Sequence, residues 1–217
     1  DDVLQIMSMD STQKEPVGYI YGGVSFRMDL LDKGFDWIKR GIEKYPDRLD
    51  MRLGLIYMLQ QLRDYDQFAS QITKAIDRSV INSNQWLWVS GVPLSDSEKM
   101  FLSSIQDYQV HLFNTGRYDL LDHMQIIAET LLKHYPNCIE NLSNLSIICI
   151  CRKQYAEALK WALKAERINP KDAVVLNNIA EIYARKGDIV NGIKYYELLI
   201  KVGDEPTQQY ARQQIEK

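Results

Sequence analysis

Asn144 and Asn178 stand 34 residues apart, each inside a segment whose apolar residues recur at helical spacing. A carboxamide carries both donors and an acceptor, so it can bond the backbone of an extended peptide without reading side chains. On the same predicted helix face lie Ser143, Ile147 and Cys151 beside Asn144, and Asn177, Glu181 and Arg185 beside Asn178. Trp86 and Trp88 form a second set, in "SNQWLWVSGVPL". In an extended chain alternate side chains share a face. Two indoles on one face suit either burial in a gap or anchoring of a partner or ligand.

Other chemistry is not spelled out. The chain has no GxSxG, HExxH or P-loop pattern. Its three histidines, His111, His123 and His134, are spaced 12 and 11 apart on predicted helices, which is not metal-ligand spacing. Asp64 and Asp66 sit at a predicted turn, where Asp ordinarily caps or is solvated. No nucleophile has a base and an orienting partner nearby in the chain, so the expectation is a non-enzymatic protein without cofactor or metal. Cys138, Cys149 and Cys151 make an odd count, and the last two fall on different faces of one predicted helix, so they are not expected to pair.

The bulk properties are those of a globular chain. Of 217 residues, 46% are hydrophobic and 25% charged, with a formal net charge of -3. Charges of both signs alternate, and no basic patch points to nucleic acid. The longest apolar runs, such as "LSIICICR", fall well short of the ~20 residues of a membrane helix. The chain starts "DDVLQIM", without Met and on an acidic tail; the expectation is export to the periplasm or cell envelope after signal removal, with the cytoplasm as the alternative.

The elements that carry these residues repeat. From Ile139 the apolar positions Leu142, Leu145 and Cys149 predict one helix, "RKQY" a turn, and Tyr155, Ala158, Ala162 and Ala165 one face of a second helix ending at Pro170. A shift of 34 residues brings Leu142 onto Leu176, Leu145 onto Ile179, Ser146 onto Ala180, Cys149 onto Tyr183, Ala158 onto Gly192 and Ala165 onto Leu199. Small residues stay small where helices must cross closely, and large ones stay large where they fill the gap. That period is the one of tetratricopeptide repeats. Residues 139–206 resemble two such repeats, with Leu142, Leu145-Ser146, Cys149, Ala158, Ala162 and Pro170 following the family pattern. Gly34, Ile38, Gly41 and Pro46, followed one period later by Phe68, Ile72 and Ala75, predict two divergent repeats over 15–82. An irregular repeat is expected over 95–138, opened by a capping box "SDSE" with Ser95 as the cap, its second helix starting with Tyr118. Residues 83–94 are then an insertion carrying both tryptophans, 1–14 an N-terminal extension, and 207–217 a capping helix.

The fold class expected is therefore an all-α, right-handed solenoid of about five helical hairpins. First helices of successive repeats line one concave surface. The residues predicted to face it are Tyr19, Gly23, Leu53, Tyr57, Gln106, Asp107, Val110, Asn114, Ser143, Asn144, Ile147, Cys151, Asn177, Asn178, Glu181 and Arg185. The resemblance implies that this groove binds a peptide or partner segment. It does not extend to the clamp for a chaperone's terminal carboxylate, because Ser143 and Ile147 stand where that clamp needs cations. The alternative function is a cell-envelope accessory protein binding a small ligand or glycan on Trp86, Trp88 and nearby tyrosines.

Overall fold

The computed structural model describes residues 31–216. Tyr19, Gly23, the 1–14 extension and the first helix of the first repeat lie outside them. The described residues form ten α-helices: α1 (Leu31–Lys44), α2 (Leu49–Leu62), α3 (Tyr65–Ile81), α4 (Ser97–Asn114), α5 (Leu121–His134), α6 (Ile139–Cys151), α7 (Tyr155–Ile168), α8 (Ala173–Arg185), α9 (Ile189–Val202) and α10 (Glu205–Ile215). Short 3-10 turns precede α4 and α5, and extended structure is limited to two isolated β-bridges among these residues. The fold is an all-α solenoid of helical hairpins, as the repeat register predicts.

One turn geometry recurs in register. Counted from Leu49, Ile139 and Ala173, the fifteenth residue of each repeat is Arg63, Lys153 and Gly187, at φ 58, 59 and 78. Each ends its hairpin's first helix in a Schellman motif. Asp64 N–H donates to the Leu59 carbonyl at 3.1 Å, Gln154 N–H to Cys149 at 2.8 Å and Asp188 N–H to Tyr183 at 3.0 Å. Aspartates then start several helices: Asp64, Asp172, Asp188 and Asp204 accept from the backbone N–H of Gln67, Val175, Asn191 and Thr207 at 3.1, 3.1, 3.2 and 3.0 Å.

Two compact units divide between Asp107 and Tyr108, inside α4, and not at the 83–94 insertion. In the N-terminal unit α2 packs on α1 and on α3. Gly34, Ile38 and Gly41 of α1 are buried, as are Leu55, Ile56, Phe68, Ile72 and Ala75, which is the register read from the sequence. In the C-terminal unit each helix from α5 to α10 packs on the next, and α6 also touches α8, the repeat-to-repeat contact of a solenoid. Ala158, Ala162 and Ala165 bury one face of α7 against Leu142, Val175, Ile179 and Ile182. Gly192 brings α9 close to α8: a methyl there would lie 3.5 Å from the Ala184 backbone nitrogen. At the end, Ala211 of α10 closes over Leu176, Ala180, Tyr196 and Leu199.

Two details differ from the sequence reading. Helix α4 begins at Ser97, and Glu98 accepts from Asn84 Nδ2 at 2.9 Å, so the predicted capping box on Ser95 gives way to ties into the insertion. Tyr118 belongs to a 3-10 turn and is exposed; its hydroxyl donates to the Cys151 carbonyl, and the buried face of α5 starts at Leu121.

Candidate functional site

The predicted groove residues separate into two classes. In the N-terminal unit Tyr57 is 54% exposed, Gln106 is half-buried and Asp107 exposed. In the C-terminal unit the amides lie deep: Asn144 is 5% exposed and Asn178 7%, with Ser143 at 5%. They are not solvated surface amides. The reason is local: α6 is apolar or small nearly all round, so it buries Asn141, Leu142, Ser143, Asn144, Leu145 and Ser146 in succession. Two of these polar groups bond to neighbouring helices. Asn141 Nδ2 donates to the Ala128 carbonyl of α5 at 3.0 Å, and Ser146 Oγ to the Ala158 carbonyl of α7 at 3.0 Å.

On α8 the pairing is incomplete. Asn177 Oδ1 and Asn178 Nδ2 are buried without a hydrogen-bond partner among the described residues. One is an acceptor and the other a donor, on consecutive residues. Asn177 also lines a cleft of about 390 Å³ between α8 and α10, with Ala173 and Val174 on one wall and Pro206, Thr207 and Tyr210 on the other. Val174 is 59% and Tyr210 39% exposed. Tyr210 is held edge-on to Tyr196, ring centroids 6.5 Å apart. Tyr210 falls within the predicted 207–217 helix; that it forms a cleft wall depends on the angle of α10, which no spacing records.

One turn further on, Glu181 and Arg185 satisfy each other, Arg185 Nε donating to Glu181 Oε1 at 2.7 Å. That bond holds Arg185 above its ordinary pKa. Tyr196 donates to the other Glu181 oxygen at 3.4 Å, and burial, then Glu181, raises its phenol well above the usual range. Both groove charges are thus used internally.

The insertion is ordered rather than splayed. Leu87 N–H donates to the Asp47 carbonyl at 2.9 Å and Leu49 N–H to the Leu87 carbonyl at 3.0 Å, so the segment pairs with the α1–α2 turn. It folds back through Trp88 N–H to the Val92 carbonyl at 2.7 Å, with Gly91 at φ 70. Trp86 is 1% exposed. Its ring lies 5.3 Å from that of Phe101 in α4 and 6.0 Å from the Arg52 guanidinium of α2. Trp86, expected as a candidate aromatic anchor, is thus an enclosed side chain that packs on Phe101 and Arg52. Trp88 is half-buried. The adjoining turn holds a buried ion pair that the sequence reading missed, Arg48 to Asp50 at 2.6 and 2.7 Å, with Arg78 bonded to Asp47 at 2.9 Å beside it. Burial alone would raise the Asp47 carboxyl, but hydrogen bonds from Arg78 and Asn82 hold it below the usual range.

The three cysteines are free, and burial raises all their thiols, Cys138 to about 11. Among the described residues no three His, Cys, Asp or Glu side chains gather in a way that could hold a metal, and no helix is long and apolar enough to cross a membrane.

Solved structures share this architecture. YrrB, described as a TPR protein with an unusual peptide-binding site, is 12% identical with a TM-score of 0.54, over 96% of this chain and 97% of that one. The C-terminal part of a TPR repeat-containing protein from Cytophaga hutchinsonii is 14% identical with a TM-score of 0.56, over 93% and 71%. MamA from Desulfovibrio magneticus RS-1 is 11% identical with a TM-score of 0.52, over 89% and 97%. No family model and no curated protein matches the sequence. The 34-residue register, the repeated hairpin turn and these likenesses agree: the chain has the fold of tetratricopeptide-repeat proteins.

Proposed function

We propose that the chain is a non-enzymatic interaction scaffold that holds an extended segment of a protein partner along α8, in the cleft walled by α10. The observation that carries this reading is the neighbouring acceptor and donor, Asn177 Oδ1 and Asn178 Nδ2, both buried and unpartnered among the described residues. A buried polar group left unpaired costs about 1–3 kcal/mol, so an incoming backbone that supplies N–H and C=O recovers that loss. Asn177 lines the cleft, and rotation of its carboxamide meets a bound backbone; Val174 and Tyr210 supply exposed apolar contact on either side. The likeness to YrrB extends to fold and adds nothing to these atoms. Asn144 has a structural place inside the unit, and a glycan-stacking role finds no support in Trp86, which is 1% exposed.

The test is selection of binders from a displayed library of random peptides against the full chain. Asn177→Ala and Tyr210→Ala should each weaken the selected peptides about tenfold, or ~1.4 kcal/mol. The melting temperature of Asn177→Ala should stay at the parent value, and Val190→Ala on α9 should bind as the parent does. Undiminished binding by both cleft variants, or a library that yields no binder, overturns the proposal.

A further inference from the structure

A second cleft, of about 640 Å³, lies wholly within the N-terminal unit, between α1 and α3 with α2 beneath. Its unusual component is Arg52. By the repeat register Arg52 stands at the fourth position of its hairpin, where the clear repeats carry Leu142 and Leu176, exposed 0% and 1%. An arginine thus occupies a leucine position and is only 9% exposed. Part of it is accounted for. Nε donates to the Pro46 carbonyl at 2.9 Å, and the guanidinium lies 6.0 Å from the Trp86 ring centroid. Nη1 and Nη2 have no hydrogen-bond partner among the described residues. A guanidinium offers five donors in a planar fork matched to oxyanions, and here most of the fork is unused.

The surroundings have the right sign. The cleft is lined by four cations, Lys39, Arg52, Lys74 and Arg78, against two carboxylates, Glu43 and Asp77. Arg78 is engaged by Asp47 at 2.9 and 3.1 Å, and Lys39 Nζ reaches Gln67 Oε1 at 3.5 Å. The rest of the lining is mixed, with Ile42, Pro46, Leu55 and Ile81 apolar and Gln67, Ser70 and Gln71 polar, and the volume suits a small molecule. The geometry points to a binding site for a small amphipathic anion, whose carboxylate or phosphate sits on the Arg52 fork and whose apolar body lies along Ile42 and Ile81. Burial, then the charge of Arg78, lowers the Arg52 pKa to about 10, with Asp47 opposing; an anion in the cleft relieves that loss of solvation. The site is independent of the α8–α10 cleft.

The full chain titrated calorimetrically with octanoate, and separately with inorganic phosphate, tests the assignment. One saturable site is expected for octanoate at or below roughly 10 mM, the range of weak single-anchor ligands. Weaker phosphate binding is expected, because phosphate has no apolar body; phosphate binding as strongly as octanoate would overturn the amphipathic assignment. Arg52→Met should weaken octanoate about tenfold or more, as loss of a charge-assisted fork does. Because Arg52 also packs on Trp86, Lys74→Glu at the exposed rim serves as the second variant: it should weaken octanoate several-fold while the melting temperature without ligand stays unchanged. No saturable heat with either anion, or equal binding by parent and both variants, overturns the inference.

Discussion

At the scale of single residues, identity matters most where size and polarity conflict. Trp86 fills the space between Arg52 and Phe101, and its Nε1 is buried without a partner among the described residues. The fit, not the indole N–H, is then what stabilises the unit. Trp86→Ala should lower unfolding free energy by about 3–5 kcal/mol, as for other buried large-to-small changes. Trp86→Phe should lower it by about 1 kcal/mol or less, because an aromatic ring still meets Phe101 and an unmet donor is removed. Chemical denaturation read by circular dichroism decides between them, and equal losses in the two variants would refute the enclosure. Arg52 shows the same conflict from the other side, a charge at a leucine position, and there the polar group keeps donors without a partner among the described residues.

At the scale of elements, the hairpin turn is the repeated device. It requires a left-handed residue at the end of the first helix, and only Gly187 of the three is glycine. Arg63 and Lys153 take the same conformation with a Cβ, at about 1–2 kcal/mol of local strain. The fold tolerates this because each turn is closed by two backbone hydrogen bonds and followed by a helix that buries its own face. Glycine at either position removes the strain and adds some unfolded-state entropy. Arg63→Gly and Lys153→Gly should therefore each raise stability by about 0.5–1 kcal/mol, seen as a higher denaturation midpoint at unchanged slope. A loss of stability in both would mean that the side chains, not the turns, hold these positions. The insertion illustrates the opposite case: with no helical period of its own, it is held by pairing with the Asp47–Leu49 backbone.

At the scale of the whole molecule, each hairpin relies on the element that follows it to cover its apolar face. Here α10 does so with one buried residue, Ala211, over Leu176, Ala180, Tyr196 and Leu199. A chain ending at Gly203 should melt at least about 5 °C lower, given roughly 2–4 °C per kcal/mol at this size. It should also elute as larger species in size-exclusion chromatography, because the uncovered cluster is apolar. A truncated chain as stable and as monodisperse as the parent would show the helix to be dispensable. The same helix walls the α8 cleft, so its removal and Asn177→Ala are separable: the first changes melting and binding, the second binding alone.

What the sequence determined by itself is the part that repeats. Hydrophobic period and small-residue positions are local properties, summed along each helix, and they placed Leu142, Ala158, Gly192, Ile38 and Phe68 inside the core and the hairpins at their 34-residue spacing. What only the tertiary structure decided is how deep a polar residue lies and what stands opposite it. Asn144, Asn177 and Asn178 are all predicted to face one groove, yet Asn144 and Asn178 are buried and Asn177 lines an open cleft. The burial of Trp86 against Arg52 and the ion pair of Arg78 with Asp47 depend on segments more than thirty residues apart in the chain meeting at fixed distances. Periodicity carries direction around one helix; depth and partnership come from the angles at which helices cross.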